Sequence, residues 1–258
     1  MKYESVIYEK QSEIAWIKFN RPQVLNAVNY QMAHDFLLAL EEGRRDPEVR
    51  VVILKGEGRA FSAGADVKEV SIPKSDQDMR DRHKNYQDAA HQVRILGKPI
   101  IAAVHGYALG AGCEYAMICD IRIAAEGTKF GFPEASVGGP ITLAGTQMLV
   151  KLVGLAKAKE MVFTTDFIDA REAEKIGLVN QVVPLDRQDR VAFDMAKKIA
   201  RNYPVAVRWL RSNLDLSSEM SQDAILHFES AVGEICRLAG TMTEGFTAKK
   251  QAIADKEK

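Results

Sequence analysis

The chain has 258 residues, 47% hydrophobic and 27% charged, an ordinary globular balance that fits one large domain or one domain with an appendage. Lys+Arg and Asp+Glu both number 35, so the formal net charge is zero and nothing draws the whole chain to nucleic acid or a membrane. No apolar run reaches the ~20 residues of a membrane span, residues 1–10 carry no secretory or transit pattern, and Cys113, Cys119 and Cys236 have no metal-ligand spacing, so a cytoplasmic chain with reduced, packed thiols is expected.

Residues 3–9 and 13–19 alternate apolar and polar side chains around Gln11-Ser12, the pattern of a hairpin or of paired strands. Pro22, in Asn20-Arg21-Pro22, ends the second strand because proline has no N–H for a ladder. Asn29 is placed to cap a helix through about Glu42, with Met32, Phe36, Leu37 and Leu40 on one face, and Asp46-Pro47 breaks it. Residues 51–54 form a short apolar strand closed by Gly56. A small-residue stretch at 59–69 follows, then a loop at 72–78 and a polar helix through about Ile95. Pro99 to Val104 is a buried strand. It leads to the turn Gly110-Ala111-Gly112, where a helix opens with Glu114 in its first turn. Further helices are expected at 156–163 and after an Asp169 cap, with a last strand at Val182-Val183. Beyond Asp186 only helical patterns remain: 190–201, 205–214, 223–238 and 243–253. Short strands separated by helices imply parallel pairing through crossovers, hence an α/β class.

Three features carry chemistry. The turns at 63–65 and 110–112 offer backbone N–H groups, and a helix start leaves such groups unpaired with a partial positive charge. One donor from each, aimed at one oxygen, makes an oxyanion hole; close helix–strand packing explains the small residues equally well. Glu114 follows the second turn in the first turn of the helix, and Glu134 comes twenty residues later. Taken singly each suits a helix start, but as a pair in different environments they can keep one carboxyl protonated and one ionised. Gly106 to Gly112 has the wrong spacing for a dinucleotide loop, and neither a P-loop nor a G-x-S-x-G elbow is present. His105 ends a strand and reads as a satisfied, partly buried residue. His34, His83, His91 and His227 form no ligand cluster, so no metal site is expected.

Three blocks together resemble the enoyl-CoA hydratase/isomerase, or crotonase, superfamily from about residue 3 to 250: Asn20-Arg21-Pro22 with Leu25-Asn26-Ala27; the run from Ala60 to Lys68; and His105 to Glu134, ending Phe130-Gly131-Phe132-Pro133-Glu134. The stretch 154–184 matches too. The resemblance implies a crotonase-like spiral of ββα repeats with a helical C-terminal trimerisation region, divided as a 1–190 core and a 191–258 helical part. It implies a homotrimer or homohexamer. It also implies an acyl-CoA substrate, with coenzyme A entering as part of that substrate, no permanent cofactor, and neither nucleic acid nor membrane as partner. The oxyanion donors fall on the amides of Ala65 and Ala111. Leu25, Ala27, Ala63, Asp66, Val67 and Lys68 fall where the family holds the CoA moiety.

With both family glutamates present, the implied reaction is reversible hydration of the C2=C3 bond of an enoyl-CoA, a lyase step in fatty or aromatic acid degradation. Glu114 helps deprotonate the attacking water and Glu134 delivers a proton to C2. The chain departs from the family between Gly138 and Leu149, where Thr142 stands at a usual glycine and Met148 at a usual arginine. Thr142 is therefore a candidate to touch the water or the acyl pocket, and a cyclic, branched or dienoyl substrate is an alternative to a straight chain. An isomerase or an acyl-CoA hydrolase of the same fold is the sibling reading, and a non-catalytic CoA-binding protein the reading from another class.

Overall fold

A computed structural model describes residues 3–71 and 75–255. The chain opens with β1 (Val6–Gln11) and β2 (Ile14–Phe19), an antiparallel hairpin in which Gln11 faces Ile14. Its turn is Ser12-Glu13, one residue later than expected, with Ser12 in the left-handed region at φ 55°. Asn29 caps α1 (Tyr30–Arg45), its side-chain oxygen accepting the Met32 N–H at 2.9 Å. Then come β3 (Val51–Gly56), the single turn α2 (Val67–Val70) and α3 (Asp76–Ile95). Of the loop expected at 72–78, residues 72–74 lie outside the described residues, and the chain is already helical from Asp76.

β4 (Ile100–Val104), β5 (Tyr107–Leu109) and α4 (Ala111–Met117) follow, then β6 (Ile121–Ala125), β7 (Lys129–Gly131) and a short 3₁₀ turn at Pro133–Val137. The next elements are α5 (Gly145–Val153), α6 (Leu155–Thr164), β8 (Ile168–Asp169), α7 (Ala170–Lys175) and β9 (Gln181–Val183). Four helices complete the chain: α8 (Gln188–Ala200), α9 (Pro204–Leu216), α10 (Gln222–Leu238) and α11 (Thr241–Ala254).

Six strands form one sheet in the order β1-β2-β3-β4-β6-β9, parallel except for the opening hairpin. A second sheet runs β5-β7-β8, and single bridges extend its pattern, Val28 to Ala65 and Ser62 to Ala108. Each turn of the chain thus lays one segment in the first sheet, one in the second layer, and then a helix. This is the ββα spiral that the sequence predicts.

Both faces of the sheet's central strands are covered, so β4 and most of β3 are apolar rather than alternating, whereas edge strand β1 is exposed from Glu9 to Gln11. Ala15, Ile17, Val52, Leu54, Ala102 and Val104 face a core shared with α1, α3 and α4. Their neighbours Ile14, Trp16, Val51, Ile53, Ile101 and Ala103 face α8 through Ala192, Ala196 and Ala200. At the centre of the first core Tyr115 on α4 meets Phe36 and Phe19 edge-on, with ring centroids 5.1 and 5.3 Å apart. Behind α4, buried Arg122 donates to the carbonyls of Cys119 (2.6 Å) and Leu178 (2.7 Å) and reaches that of Met117 (3.4 Å). The Met117 and Cys119 carbonyls lie at the end of α4, where a helix leaves carbonyls without helical partners, and Leu178 ties that end to the segment before β9.

Candidate active site

The spiral brings the two small-residue turns together. Ser62 and β5 form a ladder, Ser62 N–H to Tyr107 O at 2.9 Å and Leu109 N–H to Ser62 O at 3.1 Å. On the other side, Val28 N–H donates to Gly64 O at 2.7 Å and Asp66 N–H to Val28 O at 2.9 Å. These bonds flank Ala65 and leave its own N–H without an acceptor among the described residues. At the second turn Gly110 N–H donates to Gly131 O and Glu114 N–H to Gly110 O, while Ala111 opens α4 with its N–H unpaired. A Cβ on Gly64 would lie 2.7 Å from Leu109 O and 3.8 Å from Ala111 N, so glycine at φ 99° is what lets the turns touch.

Both carboxylates lie beside this seam, Glu114 in the first turn of α4 and Glu134 with its Oε1 against Gly110. Glu114 is buried, and its Oε1 accepts the N–H groups of Leu143 (2.7 Å) and Gly145 (3.2 Å). Its carboxyl is raised from 4.5 to about 7, chiefly by burial and also by the Glu134 charge, with the amides of Leu143, Thr142 and Gly145 opposing the shift. Glu134 is half-buried, and burial raises its carboxyl as well, against a bond from its own N–H. Its Oε2 has no hydrogen-bond partner although it is shielded from solvent. Each carboxylate rests on a glycine. A Cβ on Gly145 would lie 2.4 Å from Glu114 Oε1, and one on Gly110 would lie 2.4 Å from Glu134 Oε1.

The description Enoyl-CoA hydratase/isomerase matches this chain over residues 9–252. The chain is 40% identical to the short-chain-enoyl-CoA hydratase of Clostridium acetobutylicum over 236 residues, 91% of this chain and 90% of that one. The chain belongs to the enoyl-CoA hydratase/isomerase family. The crotonyl-CoA hydratase of Syntrophomonas wolfei is 36% identical over 96% of this chain and 95% of its own. A crystal structure of enoyl-CoA hydratase from Bacillus anthracis superimposes with a TM-score of 0.92 at 32% identity, covering 96% of each chain.

In this member of the enoyl-CoA hydratase/isomerase family, the segments expected to hold CoA lie side by side. Ala63 N–H donates to Leu25 O at 2.9 Å, and Leu25 and Asn26 are both left-handed, at φ 52° and 55°. Asn26 is buried, and its Nδ2 donates to the carbonyls of Glu57 and Ala60. Asp66 caps α2 through the Lys68 N–H and pairs with Arg21 at 2.9 Å, while Arg21 also donates to Ala27 O. Ala27 and Ala63 are half-buried; Lys68 and Val67, the latter 75% exposed, lie on the surface. Thr142 is half-buried and approaches the site with its backbone N–H, toward Glu114. Met148 packs its side chain against the core.

His105 donates its Nε2–H to Gly58 O, 2.9 Å away, while its buried Nδ1 has no partner among the described residues, so the expected satisfied histidine is only half satisfied. The Cys113 thiol is buried and its pKa pushed up by burial, so it stays a packed thiol. Among the described residues no group of His, Cys, Asp and Glu could hold a metal. Sequence reasoning missed the loop amides of Leu143 and Gly145, because backbone donors leave no side-chain signature. It quoted Arg21 within a motif without a role; its distance of 45 positions from Asp66 hides the pair.

Proposed function

We propose that this chain is an enoyl-CoA hydratase that adds water reversibly across the C2=C3 bond of a 2-enoyl-CoA thioester. The observation that carries the reading is the pair of shielded carboxylates with raised pKa values, flanking two unpaired backbone N–H groups. In the hydration direction, Glu114 takes a proton from the water that attacks C3. Electron density moves from the double bond onto the thioester oxygen, which the Ala65 and Ala111 N–H groups receive as an enolate. Glu134 then gives a proton to C2 and restores the carbonyl. Both carboxyls are raised, Glu114 to about 7 and Glu134 upward by burial, so each can carry the proton its step needs and the two can exchange roles in the reverse direction.

Leu25, Ala27, Ala63, Asp66, Val67 and Lys68 cradle the CoA portion, which arrives with the substrate; the steps above call on no permanent cofactor. Thr142 orients Glu114 through the backbone and borders the acyl group. The division into a 1–190 core and a 191–258 helical region is kept, with α8 the helix that joins them. Exposed Leu226, Leu238, Met242, Phe246 and Ile253 on α10 and α11 support assembly of the helical region into a homotrimer or homohexamer. No helix among the described residues is long and apolar enough to cross a membrane, and we place the enzyme in the cytoplasm.

Glu114→Gln and Glu134→Gln each lower kcat for hydration by roughly 100-fold or more, the scale of lost acid–base catalysis. Full activity in either folded variant would sink the paired mechanism. In heavy-oxygen water, mass analysis finds one labelled oxygen in a product still bound to CoA; an isomerase gives no label and a hydrolase releases CoA.

A further inference from the structure

Ala65 and Ala111 come from separate turns of the spiral, so the distance between their amides depends on what is packed between those turns. Main-chain bonds align the two segments along β5, from Ser62 N–H to Tyr107 O and from Leu109 N–H to Ser62 O. That ladder ends at Leu109, before the helix start that carries Ala111. Beyond it, the spacing is set by side chains.

One side chain stands in the gap. Ser62 is fully buried. Its Oγ accepts the N–H of Gly64, the residue before Ala65, at 3.2 Å. Its hydroxyl donates to Asn26 O at 2.8 Å, between Leu25 and Ala27 of the loop expected to hold CoA. The directions are fixed, because an amide N–H only donates and a carbonyl only accepts. The same side chain bears on Gly112, the residue after Ala111. A Cβ on Gly112 would lie 2.8 Å from Ser62 Cβ and 2.9 Å from Ser62 Oγ. Glycine at 112 therefore leaves the space that Ser62 occupies. The Ser62 side chain thus meets one chain neighbour of each oxyanion amide and, on its third side, the CoA loop.

We propose that Ser62 is a positioning residue that sets the separation between the Ala65 and Ala111 amides and ties it to the CoA loop. It acts through distance and touches no reacting atom. Oxyanion donors work at about 2.7–3.1 Å from the charged oxygen, and misplacement on the ångström scale costs rate. Gly64 holds φ 99°, a conformation with wide freedom for glycine, and the bond to Ser62 Oγ restrains it. Alanine at position 62 would suit a run of small residues but would supply neither hydrogen bond, leaving the Gly64 N–H without an acceptor in a dry interior. The inference rests on the hydratase reading for the work the two amides do.

The test is Ser62→Ala, read in two ways. For hydration of crotonyl-CoA, kcat falls about 10-fold, less than the loss of a whole oxyanion donor, while KM stays within about 2-fold. The second reading is the infrared carbonyl stretch of bound butyryl-CoA carrying carbon-13 at the thioester carbon. Butyryl-CoA has no double bond to hydrate, so its carbonyl reports the two amides without chemistry. The wild-type protein lowers that frequency relative to the free thioester, and Ser62→Ala lowers it less. A folded Ser62→Ala protein with the wild-type carbonyl frequency overturns the proposal whatever its rate, as does a wild-type protein that leaves the frequency unmoved. A raised KM with unchanged kcat and frequency marks a contact that serves the CoA loop alone, and also overturns it. Should Ser62→Ala not fold, Ser62→Cys takes its place. A thiol has a similar shape but donates and accepts more weakly, so both readings move in the same direction by less. A cysteine variant identical to wild type overturns the proposal. A carbonyl shift that the variant diminishes, in a protein whose wild type does not hydrate crotonyl-CoA, supports the positioning role while rejecting the hydratase.

Discussion

At the scale of single residues, Glu114 sets catalysis against stability. Its carboxyl titrates near 4.5 when unfolded and near 7 in the fold. Between those values the folded protein holds a proton that the unfolded chain has released, so stability falls as pH rises through that window. The full difference is worth about 3 kcal/mol. Glutamine at this position keeps an acceptor for the Leu143 and Gly145 amides but has no charge to bury. Thermal melts at pH 5 and pH 8 therefore show a larger loss for wild type than for Glu114→Gln; equal losses would refute this. The rate of the wild-type enzyme rises through pH 7 as Glu114 becomes a base. Both glutamates and both small-residue turns were legible from the sequence because their spacing is local. The amides of Leu143 and Gly145 that hold Glu114 were not, since backbone donors leave no side-chain signature.

At the scale of elements, α4 is fixed at both ends. Its start is pinned by Gly110 against Gly131, and its end by Arg122 against three carbonyls. Arg122→Leu leaves those carbonyls unsatisfied in the core and lowers the free energy of unfolding by roughly 2–4 kcal/mol, read from urea midpoints. No change beyond error would mean that water replaces the guanidinium without loss. The hairpin, α1, α3, α6 and the C-terminal helices follow from periodicity and caps visible in the chain. The second layer does not: Val28, Ser62 and Ala65 pair as single bridges, too short to leave an alternating pattern. The helix α5 also escaped notice, because Ala144 precedes it in the left-handed region at φ 57° and supplies no side-chain cap.

At the scale of the whole molecule, α10 packs between α9 and α11, and Leu238 and Phe246 remain 75% and 69% exposed. Sedimentation equilibrium should find a trimer or hexamer, and the double change Leu238→Asp with Phe246→Asp should shift it to smaller species. A wild-type monomer at micromolar concentration would remove the proposed assembly. The overall architecture was readable through resemblance more than through pattern, since alternating strands and helices fit many α/β arrangements. The bridge between Val28 and Ala65, and the ladder between Ser62 and β5, carry a further consequence. The amides proposed to receive the enolate are held by main-chain pairing, whereas the lining of an acyl pocket is built from side chains. Sequence drift can therefore retarget the enzyme to new acyl groups while the capacity to stabilise an enolate is inherited unchanged with the fold.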